Sequence, residues 1–167
     1  MALFGRKRTT VALDIGSGLI KLVVIDHGSG EPVLTKVAFT SVVDGAIVEG
    51  EVMDPGIVAD AVRGLLSTAG IKAKKVVTAV GGRDVIIKKI SMDRMKEGEA
   101  REQIRWEAEQ HVPFDMDNVE LDFQILDPEG DGLQMNVLLV AAKRELVENK
   151  VSLLTQAGLT PSIIDVD

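Results

Sequence analysis

Two nearly unbroken apolar runs open the chain, Thr10–Ile15 (TVALDI) and Ile20–Asp26 (IKLVVID), joined by Gly16-Ser17-Gly18. β-Branched residues at strand length on either side of a glycine turn predict a β-hairpin. Because the runs are continuous rather than alternating, they also predict a sheet with helices on both faces. After a turn at His27–Gly30, Val33–Phe39 alternates in part and predicts a third strand. The period then changes. Ile57, Val58, Ala61, Val62, Leu65 and Leu66 recur at steps of three and four, behind Asp54 as N-cap and Pro55 at the first helical position, with Gly70 closing the helix. Lys75–Val80 is the next strand and ends at Gly81-Gly82.

Beyond Gly82 the pattern reads strand, helix, strand, strand. Asp84–Met92 predicts a strand with Val85, Ile87 and Ile90 inward, and Glu97–Val112 a helix whose apolar stripe is Ala100, Ile104, Ala108 and Val112, ended by Pro113. Val119–Leu126 and Gln134–Ala142 are two strands around the turn-rich Asp127–Gly132. A stretch of about sixty residues with this order is compact enough for a subdomain. Lys143–Ala157 follows as a helix on Leu146, Val147, Val151 and Leu154, stopped by Gly158, and Ser162–Val166 as a last strand. That strand is apolar and needs sheet neighbours, so either it pairs back with the first sheet or the sequence is a piece of something longer.

Composition narrows the function classes. With 46% hydrophobic and 27% charged residues in 167, the chain is globular rather than disordered. A net charge of −7 argues against a general nucleic-acid-binding surface. The absence of cysteine removes disulfides, thiolate nucleophiles and Cys-based metal centres together, and fits a reducing compartment. No apolar run approaches the roughly 18 to 20 residues that span a bilayer. The basic cluster Arg6-Lys7-Arg8 is followed by Asp14, Lys21 and Asp26 rather than by a signal core, so the expected location is the cytoplasm.

The strongest chemical signal is Asp14-Ile-Gly-Ser-Gly-Leu-Ile-Lys21. Two glycines in a tight turn let backbone N–H groups approach anionic oxygens, Ser17 adds a hydroxyl, Lys21 a positive charge, and Asp14 a carboxylate for a hydrated divalent cation. The same residues also describe an ordinary glycine hairpin, and spacing alone does not separate the two readings. No Gly-Lys-Ser/Thr precedes a helix, so this is not a Walker A loop. Glu107, Glu109 and His111 lack the spacing of a helical ligand pair and read as a solvated face without a metal. His27 sits in a turn, and no nucleophile–base arrangement is visible, so no catalytic residue is expected. Trp106 falls on the side of its helix opposite Ile104 and Ala108. It is either an exposed anchor for a partner or packed against a neighbouring strand or loop. Phe114 reads as a core residue at the helix end.

The segment Asp14–Lys21 resembles the first phosphate motif of the actin/Hsp70-like ATPases. The wider chain resembles the PilM family of type IV pilus assembly proteins, actin-like relatives of the cell-division protein FtsA. The resemblance rests on Leu3–Lys7, Val48–Pro55, Gln103–Phe114, Leu121–Leu126, Val137–Lys143 and Ala157–Asp167, and covers essentially the whole chain. It implies an α/β fold with a ribonuclease-H-like (actin-like) subdomain 1A over residues 9–82 and 143–167, behind a tail at 1–8, and an inserted α+β strand-helix-strand-strand subdomain 1C over 83–142. It implies that Asp14 holds magnesium through water, that Gly16, Ser17 and Gly18 wrap the phosphates of ATP, and that Lys21 contacts them. It further implies a scaffold that is cytoplasmic, at the inner-membrane face through its partners. There it holds the N-terminal peptide of the inner-membrane protein PilN in a groove by 1A and 1C, alongside other pilus assembly components. The family's second half, with the second phosphate motif and the adenosine pocket, lies outside these residues, so ATP binding is expected to be weak or absent and hydrolysis not measurable. Two alternatives stay open: an FtsA-like cell-division protein, and the front half of an active actin-like ATPase. The stretch Leu3-Phe-Gly leans toward the pilus family.

Overall fold

The computed structural model describes residues 9–28 and 30–167, so the basic cluster and the Leu3-Phe-Gly stretch lie outside the described residues. The chain divides into two compact units: residues up to Val80 together with Asn149–Asp167, and Gly81–Glu148.

In the first unit β1 (Thr9–Ile15), β2 (Leu19–Asp26) and β3 (Val33–Ser41) form an antiparallel meander. A two-residue-per-strand hairpin follows, β4 (Ile47–Val48) and β5 (Glu51–Val52), which the sequence pattern did not announce. Its turn places Glu49 at φ 51° and Gly50 at φ 86°. Such a turn usually carries Asn-Gly, so Glu-Gly leaves no clear signature. Helix α1 (Pro55–Thr68) starts as its caps dictate, the Ile57 N–H donating to Asp54 Oδ1 at 3.0 Å. It stops at Gly70, whose φ of +65° a side chain rarely adopts. Strand β6 (Lys75–Val80) then pairs parallel with β1.

In the second unit β7 (Val85–Asp93), α2 (Glu97–Glu109), a 3-10 turn (Met116–Asn118), β8 (Val119–Ile125) and β9 (Gln134–Lys143) succeed one another. Helix α3 (Arg144–Gln156) then runs back to β10 (Thr160–Val166), which pairs parallel with β6 in the first unit. The terminal strand therefore does pair back with the first sheet. It begins earlier than Ser162 and takes in Pro161, which is tolerated because β10 is an edge strand with a register shift at that point.

The five-stranded sheet has the order β10-β6-β1-β2-β3, with β2 alone running against the other four. This is the ribonuclease-H-like arrangement that the resemblance implied. Its core gathers Val11, Leu13, Ile20, Leu22 and Val24 of the hairpin against Val58, Val62, Leu65 and Leu66 of α1 and Leu153 and Leu154 of α3. The two helices are neighbours, Arg63 donating to the Gln156 carbonyl at 2.6 Å. Within this unit both helices pack on that face, and on the other Ala12, Val23, Val77 and Ala79 are half-buried and Ile163 is exposed. On α3 the inward positions are Leu153 and Leu154 rather than Val151, which is exposed.

The second unit is a three-stranded antiparallel sheet of order β7-β9-β8. Central β9 alternates cleanly, with Met135, Val137, Leu139 and Ala141 buried against Ala100, Ile104 and Ala108 of α2. On β7 the inward residues are Ile90 and Met92, while Ile87 is exposed. A strand's period of two forbids placing Ile87 and Ile90 on one face, and burial chose the even positions. Helix α2 ends at Glu109, three residues before the sequence limit, although Val112 stays in the core and its N–H still bonds the Ala108 carbonyl at 2.8 Å. The β8–β9 loop is closed by Arg94. Its guanidinium donates to the carbonyls of Gly132 (2.8 Å), Asp127 (2.9 Å) and Gln134 (2.9 Å), and pairs with the Asp127 carboxylate at 3.3 Å.

Candidate functional site

The glycine turn lies between the paired ends of β1 and β2, and the register sets Asp14 directly opposite Lys21. Their side chains meet, Lys21 Nζ to Asp14 Oδ2 at 2.9 Å. Both are more than half exposed, at 56% and 58%, so water screens the pair and it is worth at most about 1 kcal/mol. The turn is held by the Gly16 N–H on the Leu19 carbonyl (3.0 Å) and the Val42 N–H on the Gly18 carbonyl (3.1 Å). Among the described residues no hydrogen bond uses the amides of Ser17 or Gly18, or the Ser17 hydroxyl. Neither glycine needs a positive φ. A Cβ on Gly16 would stand 3.3 Å from the Leu19 carbonyl, whereas one on Gly18 would meet nothing within 4 Å. A side chain at Gly16 would thus crowd the turn, while one at Gly18 would meet open space beside the unused donors.

The fold brings two further charged groups toward this turn that sequence reading missed. Lys150 of α3 is half-buried, and that burial pushes its ammonium below the ordinary lysine value, while the carboxylates of Asp167 and Asp14 pull it back up. Asp167 follows β10, its N–H on the Val80 carbonyl at 3.2 Å. Strands β1, β6 and β10 are parallel, so their carboxyl ends gather these groups at one edge of the sheet, where open α/β sheets bind ligands. One signal was available. Lys150 lies four residues from both Leu146 and Leu154, a charge inside the apolar stripe of its helix.

The described residues contain no group of three or more His, Asp or Glu side chains able to hold a metal. A protein-only metal site is therefore not what the turn offers. One carboxylate beside free amides and an ammonium does fit magnesium carried in with phosphate oxygens, since that ion keeps most of its waters and takes only one or two carboxylates. Glu107, Glu109 and His111 form no such group either, and His111 Nδ1 stands 3.5 Å from Lys88 Nζ. His27 Nε2 lies 2.9 Å from Thr10 Oγ1 on the exposed surface.

Trp106 is 71% exposed, so it is not packed against a strand or loop. In the same unit a cleft of about 730 Å³ runs beside the start of α2, lined among others by Lys96, Phe123, Ile125 and Met135. No helix among the described residues is long and apolar enough to cross a membrane.

Comparison with known proteins bears on the family and the fold. A chain of a PilM–PilN type IV pilus biogenesis complex superposes with a TM-score of 0.83 at 34% identity, over 94% of this chain and 47% of that one. The cytoplasmic domain of EpsL, an inner-membrane component of the type II secretion system of Vibrio cholerae, superposes at 0.59 with 11% identity, over 94% of this chain and 57% of that one. It shares the fold. A protein of Bacteroides thetaiotaomicron with an actin-like ATPase fold superposes at 0.45 with 9% identity, over 99% and 55% of the two chains, too distantly to weigh. The chain thus spans about half the length of these solved structures. The family model described as type IV pilus assembly protein PilM matches residues 12–167, and the chain belongs to that family.

Proposed function

We propose that the chain serves as a cytoplasmic scaffold of the type IV pilus assembly machinery, working by recognition of a peptide rather than by turnover. Its partner is the N-terminal peptide of a PilN-type inner-membrane protein, which keeps it at the inner-membrane face together with other assembly components. The observation that carries this reading is family membership joined to 34% identity, over 94% of the chain, with a member of a PilM–PilN complex. In that frame the unit with the five-stranded sheet corresponds to subdomain 1A and the unit with the three-stranded sheet to 1C. An NMR titration of the isotope-labelled chain with a synthetic PilN-type N-terminal peptide is expected to shift a contiguous set of amide signals. A spectrum unchanged at millimolar peptide overturns the reading.

The turn at Gly16-Ser17-Gly18 is one side of an actin-like phosphate site. The amides of Ser17 and Gly18 and the Ser17 hydroxyl would receive phosphate oxygens of ATP, with Gly16 shaping the turn, Lys21 would neutralise them, and Asp14 would hold magnesium through water. Magnesium, when bound with the nucleotide, offsets phosphate charge. With donors on this side alone, affinity is expected to be weaker than about 1 mM, the regime of a few charge-assisted hydrogen bonds in water. Calorimetry with magnesium-ATP measures it. Binding tighter than that, or binding that survives Lys21→Ala unchanged, contradicts the assignment.

A further inference from the structure

Trp106 is the single tryptophan of a chain without tyrosine, and it stands on the outward side of α2, away from Ala100, Ile104 and Ala108. Three and four residues are one helical turn, so Glu102 precedes it and Glu109 follows it on the same exposed stripe. The two arginines of α2 are engaged elsewhere. Arg101 pairs with Glu97 at 3.2 Å and lies 5.2 Å from the Phe123 ring centre, and Arg105 pairs with Asp117 at 2.6 Å. The carboxylates of Glu102 and Glu109 make no ion pair or hydrogen bond among the described residues. The helix therefore presents an exposed indole between two carboxylates that make no ion pair, with Arg105 beside them held by Asp117.

That combination selects a cation. The face of an indole attracts an ammonium or guanidinium, and the two carboxylates add to the attraction and repel anionic surfaces. We infer that the outward face of α2 docks a partner segment bearing a lysine or arginine, whose cation sits over Trp106 between Glu102 and Glu109. The inference rests on the scaffold reading only in taking a peptide as the occupant. Its chemistry stands on the helix.

The lone tryptophan makes the test direct, because all intrinsic emission excited at 295 nm comes from Trp106. Titrating the full chain with a nine-residue arginine–leucine peptide is expected to change that emission, and the same peptide with glutamate for arginine is expected to leave it unchanged. The double variant Glu102→Gln/Glu109→Gln, altered only at exposed positions, is expected to bind about tenfold more weakly, as losing two facing charges implies. Equal response to both peptides, undiminished affinity of the double variant, or a response to phosphatidylglycerol vesicles overturns the inference. So does emission that follows the concentration of the chain itself, which would make the occupant a second copy. Amide shifts with the PilN-type peptide beside a silent indole with the arginine peptide leave the scaffold reading standing and reject this inference. The opposite pattern does the reverse.

Discussion

Replacing Leu139 by alanine is expected to unfold the unit formed by residues 81–148 at room temperature. Leu139 is fully buried at the middle of β9, the central strand of the three-stranded sheet, with Ile104 and Ala108 of α2 in the same core. Truncating a buried leucine removes its transfer free energy and leaves a cavity, which together cost about 2–5 kcal/mol. A unit this small rarely holds more than about 3–5 kcal/mol in its core. The loss therefore matches the whole reserve. Amide hydrogen exchange reads it, with protection of the β7–β9 ladder expected to disappear. Leu139→Met, which conserves volume, is expected to cost less than about 1.5 kcal/mol and keep the ladder protected. Protection retained in the alanine variant would contradict the account of this core.

The second large effect is expected at Arg94, whose guanidinium collects three backbone carbonyls and one carboxylate of the β8–β9 loop and the start of β9. Arg94→Ala strips a donor from the carbonyls of Asp127, Gly132 and Gln134 at once. These groups are partly solvated, so the expected loss is about 2–3 kcal/mol rather than the full sum for buried acceptors. Arg94→Lys is expected to recover little, because one ammonium cannot match a planar fork. Acid should act on the same loop. The Asn136 backbone N–H, then the Asn136 side chain and Arg94, hold the Asp127 carboxyl below its ordinary value of 3.8, with burial opposing them. The unfolded chain then takes up the proton first as pH falls, so this stabilisation is complete above 3.8 and is lost as pH drops through the folded value. Urea denaturation at neutral pH and near pH 3 measures both effects. An Asp127→Asn variant with unchanged acid sensitivity would discount the loop as its source.

Arg94 also shows where sequence reading stops. Nothing in the stretch Met92–Met95 sets this arginine apart, since its partners lie more than thirty positions away in the β8–β9 loop and the start of β9. Lys150 and Asp167 come toward Asp14 only because β10 crosses back beside β6, a pairing between segments far apart in the chain. The choice of Ile90 over Ile87 as the inward residue of β7 was likewise made by the sheet, through a one-residue matter of parity.

The amino-acid sequence by itself determined the local elements. Asp54 and Pro55 opened α1 and Gly70 closed it, the alternation of β9 marked its inner face, and two apolar runs around Gly16-Ser17-Gly18 made the hairpin, because caps, periodicity and turn chemistry act within a few residues. Tertiary structure alone decided that Asp14 and Lys21 meet as an exposed pair beside unspent amides, that Trp106 faces solvent among carboxylates, and that α1 and α3 share one face of the large sheet. Those outcomes depend on which distant segments share a surface, and that is set by burying the whole apolar complement at once rather than by any short stretch of residues.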